Sequence, residues 1–432
     1  LYNKFRKWGR LSAAALLTGT LLLGSLPAAP PALAATAPVA ADQSQIKAHE
    51  PYRIVAIGDS LTAGYEFGFT ESSSPYGYVE RVYEQALFRG RAEMVNYGLL
   101  GLRVEGLDAW LSAAQGGRAV QTADIAGASA DPRAAAILAR TASLAEDLRQ
   151  ADLVVLTIGA NNFTSLMDIR TKGKEEIAAW RTDTLDAYAA SLTASLETIL
   201  ELQPSVRIVV SDFYSPVPNL AAAGITGAQY ELFQETIQLV QERLGEVVAG
   251  FADRGSDVRA AYSAEAFVRK ELAMTYIMQQ DIHPKQSGYA AIGSAFAETI
   301  WGEERRVAPR ADGVDISVVV DGREVVTVNR PVIKNNRTYL AIKDIADAMQ
   351  ATTVWDAKTK SATIRSGGRE VVLQIDGTAM RVNGQQVPID TPAYLQPMNG
   401  EMKTYVPLAV LADGLGFQVV YSAPTKTAFI NK

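Results

Sequence analysis

The sequence contains no cysteine and only two histidines, His49 and His283. The first absence excludes disulfides, cysteine-ligated zinc, iron–sulfur clusters and thiol nucleophiles. The second excludes any site that needs three imidazoles, and it leaves two candidates wherever the chemistry needs a histidine base. An excess of positive charge is also missing. Lys and Arg total 41 against 47 Asp and Glu, a net charge of −6. That balance gives no electrostatic footprint for nucleic acid. Beyond residue 34 no apolar run reaches the ~20 residues that span a bilayer.

What is present is a globular composition, 48% hydrophobic and 20% charged over 432 residues. At roughly 100–200 residues per domain, two or three domains are expected. The N-terminus reads as a targeting segment. Lys4, Arg6, Lys7 and Arg10 form a positive cluster, Leu11 to Leu26 a short apolar run, and Ala32-Leu33-Ala34 a small-x-small cleavage pattern. This layout predicts a secretory signal peptide over 1–34. It implies an exported protein, extracellular or wall-associated, with no integral membrane segment after cleavage. Residues 35–51, rich in Ala, Pro and polar side chains, read as a linker.

From 52 to 302, short apolar runs alternate with long helical patterns. Arg53–Ile57, Glu93–Asn96, Asp152–Ile158 and Val206–Ser211 read as buried strands. Tyr76–Phe88, Asp131–Gln150, Glu175–Leu202, Gln229–Ala252 and Gln286–Trp301 read as helices. Such alternation predicts an α/β domain whose parallel sheet is covered on both faces. Residues 303–313 are charged and carry a proline, as a second linker would. From 314 to 432 the strands are short and alternating, with Asp321-Gly322, Asp376-Gly377 and Asn383-Gly384 as turn signals. This region repeats internally. Arg337–Ile364 aligns without gaps to Lys403–Ile430, with about ten of twenty-eight positions identical. Each unit reads as hairpin, short helix, hairpin, and two copies predict a compact α+β pseudo-dimer.

The residues that suggest chemistry lie in separated blocks of the first region. Gly58-Asp59-Ser60-Leu61 follows the first strand directly, so Ser60 stands at the carboxyl edge of a parallel sheet, where open α/β sheets place their sites. A helix beginning at or just after Ser60 would aim free N–H groups at its oxygen. Asn96-Tyr97-Gly98-Leu99-Leu100-Gly101 and Gly159-Ala160-Asn161-Asn162 end two further strands on the same edge. Acyl transfer builds an oxyanion that needs preorganised donors. The backbone N–H groups of Ser60 and Gly101 and the amide of Asn161 are suitable types. A serine also needs a base. His49 falls in the first linker, so His283, in Asp281-Ile282-His283-Pro284, remains by elimination. Read alone, the Ser60 block better fits a helix cap and the two Gly/Asn blocks better fit simple chain turns.

In order and spacing these blocks resemble the SGNH or GDSL hydrolase superfamily of esterases and lipases, most closely the lysophospholipase-like acylhydrolases. The resemblance covers residues 52–302. It implies a flavodoxin-like three-layer α/β/α fold. It also implies Ser60 as nucleophile, His283 as base, Ser60, Gly101 and Asn161 as oxyanion hole, and no metal or cofactor. Two positions depart from the family pattern. Asn162 stands where an Asp is usual. Gln280 stands where the family carries its carboxylate, three residues before the base, and the nearest carboxylate is Asp281. Positions i and i+2 do not share a side in a helical turn, so Asp281 reaches His283 only in a more extended loop. Otherwise a backbone carbonyl orients the ring, or nothing does.

The C-terminal repeats resemble the N-terminal stalk domain of copper amine oxidases. No histidine lies beyond His283, so the region cannot supply a three-histidine copper site. The resemblance implies a non-catalytic module for spacing or adhesion, with cell-wall or glycan contact as its partner. Tyr339, Trp355, Tyr405 and Tyr421 fit either a sugar-binding face or the core. The leading expectation is a secreted serine esterase acting on an ester-bearing small molecule, lipid or acylated carbohydrate. A hydrolase fold that binds without turning over, or a carbohydrate O-deacetylase, is the alternative. The aromatic stretch Tyr65–Tyr78 is expected to overhang Ser60 and to select the acyl group.

Overall fold

A computed structural model describes residues 50–70, 72–221 and 224–432. The signal-like segment, most of the first linker and His49 lie outside the described residues.

Five parallel strands form the first sheet: β1 (Tyr52–Gly58), β2 (Ala92–Gly98), β3 (Leu153–Thr157), β4 (Arg207–Ser211) and β5 (Val258–Ala261), in the order β2-β1-β3-β4-β5. Alternate strand residues feed two cores, as a sheet buried on both faces requires. Ile54, Ala56, Leu153, Val155 and Val209 pack against α1 (Tyr78–Leu87) and α6 (Gln286–Trp301). Val55, Ile57, Val154, Leu156, Ile208 and Val210 pack against α2 (Val104–Gln115), α3 (Thr141–Arg149), α4 (Lys174–Leu202) and α5 (Gly227–Ala252). This is the expected three-layer sandwich. Two elements were not evident in the sequence. Strand β5 is only four residues long, and α2 lies between glycine-rich loops. The single helix expected over Asp131–Gln150 is broken into Ala134–Leu138 and α3.

The strand order places a switch point between β1 and β3, the position where open α/β sheets bind ligands. Register keeps the strand ends level there, with Gly58 opposite Gly98 on one side and Thr157 on the other. A Cβ at Gly58 would lie 2.2 Å from the Thr157 carbonyl oxygen, so this contact admits only glycine.

The C-terminal region contains three smaller sheets. Strands β10 (Thr352–Asp356), β11 (Ser361–Ser366), β12 (Arg369–Gln374), β13 (Ala379–Val382) and β14 (Gln385–Pro388) form an antiparallel meander. The second sheet runs β15 (Tyr394–Met398), β16 (Glu401–Pro407), β9 (Arg337–Ala341), β8 (Val332–Lys334). The third runs β17 (Gln418–Ser422), β18 (Thr427–Asn431), β6 (Ser317–Val320), β7 (Arg323–Glu324), with β18 and β6 parallel. The Asp321-Gly322 and Asn383-Gly384 turns join β6 to β7 and β13 to β14, each with both residues at positive φ. Asp376-Gly377 instead lies in a wider connection, with only Asp376 at positive φ.

Each repeat is a hairpin, a short helix and a second hairpin, the helices being α7 (Ile342–Ala348) and α8 (Leu408–Gly414). The repeats meet through β9 and β16. Tyr405 pairs with Ala341, Pro407 with Tyr339, and Val406 with Leu340. Because Tyr339 corresponds to Tyr405 and Ala341 to Pro407, the outer pairs exchange and the Leu340–Val406 pair maps onto itself. A local two-fold axis therefore passes through that pair. The four aromatics do not share one face. Tyr339 and Tyr405 are buried in a small core, whereas Trp355 and Tyr421 are about half exposed.

The repeat domain is seated on the α1 side of the first domain. Phe429 meets Phe88 edge-on at 4.9 Å, and Val319 and Phe429 join the core beneath α1. The Gln418 amide accepts from Ala92 N at 3.0 Å and donates to Ala92 O at 2.7 Å, occupying the edge of β2. Asn431 Nδ2 donates to Leu87 O at 2.9 Å. The domain is thus docked rather than held away as a spacer. Leu340→Ala empties a fully buried position on the repeat axis and is expected to cost about 2–5 kcal/mol. Urea unfolding followed by far-UV circular dichroism measures it.

Candidate active site

The site is assembled from three chain segments at the β1–β3 switch point. The first is the turn after β1. Asp59 is buried, and its Oδ1 accepts the Leu61 N–H at 3.0 Å and the Thr157 hydroxyl at 2.9 Å. Thr62 Oγ1 is 2.8 Å from both Tyr78 Oη and Thr157 Oγ1. This hydroxyl cluster fixes the backbone on either side of Ser60. No helix begins at or just after Ser60. Residues 60–64 make a closed turn in which Ala63 N bonds to Asp59 O and Tyr65 N to Ser60 O. Among the described residues the Ser60 N–H has no acceptor.

The second segment comes from the loops after β2 and β3. Asn96 Nδ2 donates to Thr62 O at 2.7 Å, and its Oδ1 accepts from Gly98 N at 2.8 Å, tying the second loop to the serine turn. Gly101 has φ +79°, and a Cβ there would lie 2.5 Å from the Ala130 side chain. Its N–H also lacks an acceptor among the described residues. Asn161 Nδ2 donates one hydrogen to Leu102 O at 3.0 Å, and the other has no acceptor among the described residues. Asn162 Oδ1 accepts the Val104 N–H at 3.1 Å, while its Nδ2 donates to Glu105 Oε2 at 2.7 Å. An Asp could hold Val104 but would face the Glu105 carboxylate with no proton to offer. The unusual Asn therefore matches its neighbour.

The third segment carries the base. Thr275 bridges Pro284, and Tyr276 N donates to His283 O at 2.9 Å, so the loop is pinned on both sides of His283. Gln280 adopts φ +62°, a left-handed turn that leaves its side chain exposed and directs Asp281 inward. Asp281 Oδ1 then accepts both the His283 backbone N–H at 2.8 Å and Nδ1 at 2.6 Å. This i to i+2 bond belongs to a local Asx-type turn, not a helical one. His283 Nε2 lies 2.8 Å from Ser60 Oγ. The structure thus joins Ser60, His283 and Asp281 in one hydrogen-bonded line and excludes Gln280 from it.

The charges follow the same geometry. Burial raises the Asp281 carboxyl pKa, but the hydrogen bonds and charge of His283 outweigh it and hold the carboxyl below its usual range. Asp59, fully buried with no cation beside it, is pushed up to about 7.

A cavity of about 470 Å³ opens beside Ser60 and His283. Its walls are the segment from Ala160 to Arg170 and the segment from Phe213 to Val217, with Phe233 and Ile237 of α5 behind them. Most of this lining is apolar. None of the described residues of Tyr65–Tyr78, the stretch expected to overhang Ser60 and select the acyl group, lines this cavity. The Tyr65 ring instead packs on the His283 imidazole, with centroids 4.3 Å apart. Beyond the blocks of Ser60, Asn161 and His283, the residues that line the cavity belong to no motif in the sequence. Their one signal is the aromatic and apolar content of the loops following β3 and β4.

An open α/β sheet with a serine, a histidine and a carboxylate aligned at its switch point defines a serine-hydrolase architecture. The GDSL-like Lipase/Acylhydrolase family matches residues 56–291, more than half of the chain, and the chain belongs to that family. The Copper amine oxidase N-terminal domain family matches residues 319–430. Similar solved structures include the lipase Lip_vut3 from a goat rumen metagenome, 16% identical, with 58% of this chain and 97% of that chain covered and a TM-score of 0.41. Axe2, an acetylxylan esterase from Geobacillus stearothermophilus, is 17% identical over 60% of this chain and 97% of its own, with a TM-score of 0.34. A Clostridium thermocellum family 3 carbohydrate esterase is 16% identical over 58% and 94%, also at 0.34. No curated protein matches the chain. No helix among the described residues is long and apolar enough to cross a membrane.

Asp59 generates a pH signature. A buried carboxyl with a raised pKa holds its proton in the folded state while the unfolded chain releases it near the ordinary value of about 3.9. Its contribution to stability is fully present below the unfolded pKa and declines as pH rises toward about 7. Asp59→Asn keeps a side-chain acceptor for Leu61 and Thr157 and is expected to remove this component. Thermal unfolding of both proteins between pH 4 and 8 shows the difference.

Proposed function

We propose that the protein is a secreted carboxylic ester hydrolase that works through an acyl-enzyme on Ser60. The observation that carries this reading is the line from Asp281 through His283 to Ser60, closed by contacts of 2.6 and 2.8 Å. His283 Nε2 takes the Ser60 hydroxyl proton as Oγ attacks the ester carbonyl carbon. The carbonyl electron pair moves onto its oxygen, where the Ser60 and Gly101 N–H groups and the second Asn161 amide hydrogen stabilise it. The intermediate collapses, the C–O bond to the alcohol breaks, and His283 returns the proton to the leaving oxygen. Water, deprotonated by His283, then attacks the acyl carbon; the bond to Oγ breaks, His283 returns the proton to Ser60, and the acid is released. Asp281 fixes the ring orientation and stabilises the imidazolium. Export rests on the basic cluster, apolar run and cleavage pattern of residues 1–34.

The substrate reading rests on the cavity. Phe163, Leu166, Met167, Phe213, Val217 and Phe233 give it an apolar lining far larger than an acetyl group requires. An apolar acyl chain gains about 0.8 kcal/mol per methylene buried, roughly fourfold in kcat/KM. A series of nitrophenyl esters from acetate upward is expected to rise at about that rate until the cavity is filled. A maximum at acetate, with turnover of acetylated sugars, would favour the deacetylase reading instead.

Ser60→Ala is expected to abolish hydrolysis and labelling by a fluorophosphonate probe. Asp281→Ala is expected to lower kcat by up to about 10⁴, whereas Gln280→Ala stays near the parent rate. A folded parent protein that neither labels nor hydrolyses would point to the binding-only alternative.

A further inference from the structure

We infer that Glu84 is a positioning residue through which the C-terminal domain holds the loop packed on His283, and this inference rests on the esterase reading. Glu84 lies on α1, half-buried between the two domains. Its Oε1 accepts the Ser422 hydroxyl, and the Thr425 hydroxyl at 3.5 Å, both from the C-terminal domain. Its Oε2 accepts the Tyr76 hydroxyl at 2.9 Å. One carboxylate therefore joins the second domain to the end of the Tyr65–Tyr76 loop.

From Tyr76 the contacts continue to the catalytic side. The Arg81 guanidinium lies 4.3 Å from the centroid of the Tyr76 ring and donates to Gln286 Oε1 at 2.8 Å. Gln286 Nε2 in turn donates to Glu66 Oε1 at 2.8 Å and to Tyr76 O at 3.2 Å. Glu66 follows Tyr65, whose ring rests on the imidazole and whose carbonyl is held by the Tyr289 hydroxyl at 2.6 Å. Gln286 stands three residues after His283 at the start of α6. The loop and the base thus share one set of supports, and Glu84 anchors their far end.

The carboxylate is suited to this task. It accepts hydroxyl donors from two directions and makes no ion pair within 4 Å among the described residues, so hydrogen-bond geometry sets its position. Burial raises its pKa, consistent with a group withdrawn from solvent. If the domain supports Tyr65 in this way, loosening Glu84 lets the ring shift on His283 and slows the proton transfers. Ester binding in the cavity on the other side of Ser60 is left intact. The signature is a fall in kcat with KM unchanged.

The test uses the full chain and nitrophenyl butyrate, with initial rates and melting temperature measured together. Glu84→Ala, and separately the double variant Ser422→Ala with Thr425→Val, are expected to lower kcat about three- to tenfold. That is well below the ~10²-fold that a 1 Å misplacement can cost. Glu84→Gln keeps one acceptor oxygen for the hydroxyls on one side and can donate its amide hydrogen to the hydroxyl oxygen on the other, and it is expected to recover most of the rate. Gln418→Ala breaks a different interdomain contact, the one to Ala92. It is expected to lower the melting temperature while kcat holds. Unchanged kcat in Glu84→Ala, or an equal fall in Gln418→Ala, would overturn the inference. Absence of turnover in the parent protein would instead overturn the esterase reading itself, so the two failures are distinguishable.

Discussion

The site depends on the closeness of β1 and β3 at their carboxyl ends. Gly58 leaves no room for a side chain against Thr157, and the next residue turns a carboxyl into the same gap. Asp59 then binds the Thr157 hydroxyl from one strand and the Leu61 amide of its own turn. Two strand ends and the serine turn become one unit. Everything else at the site is hung on that unit. The β2 loop is fastened to it through Asn96 and Thr62, and the Asn161 loop springs from the same end of β3. A carboxyl buried without a cation is expensive, and it is kept here beside the one serine placed to act.

The fold class, the sheet and its two helical faces were legible because each depends on periodicity over several residues. Ile54–Ile57 and Leu153–Leu156 are continuous apolar runs, as strands of a parallel sheet covered on both faces carry. The elements that escaped were those with too few residues to carry a period. Strand β5 spans four residues, one of them Arg259, which pairs with Asp257 just before the strand and so breaks the apolar run. The break after Leu138 has no Gly or Pro to announce it. The repeat was legible because identity, unlike propensity, needs no structural context.

For the site, residue types and strand ends pointed to Ser60, His283, Gly101 and Asn161. The relation of His283 to its carboxylate was not decidable from spacing alone. It turned on the backbone of one residue, Gln280, whose left-handed conformation makes position 281 the inward one. Asn is favoured in that conformation and Gln is not, so the residue type at 280 does not announce it. The cavity was invisible for a different reason. Its walls are two loops separated by about fifty positions, brought together only by the adjacency of β3 and β4.

The two repeats are related by an axis through Leu340 and Val406, yet only one of them rests on the hydrolase domain. The positions that make that contact differ between copies. Gln418, Ser422, Phe429 and Asn431 meet α1 and β2, while their counterparts Thr352, Asp356, Thr363 and Arg365 face solvent or lie near it. Tyr339 and Tyr405, which flank the axis, are identical, whereas the pair on it, Leu340 and Val406, is not. At the docked strands the differences between the halves follow the one-sided contact. A duplicated domain that acquires a neighbour on one side stops being two copies of one thing, and its sequence records on which side the neighbour sits.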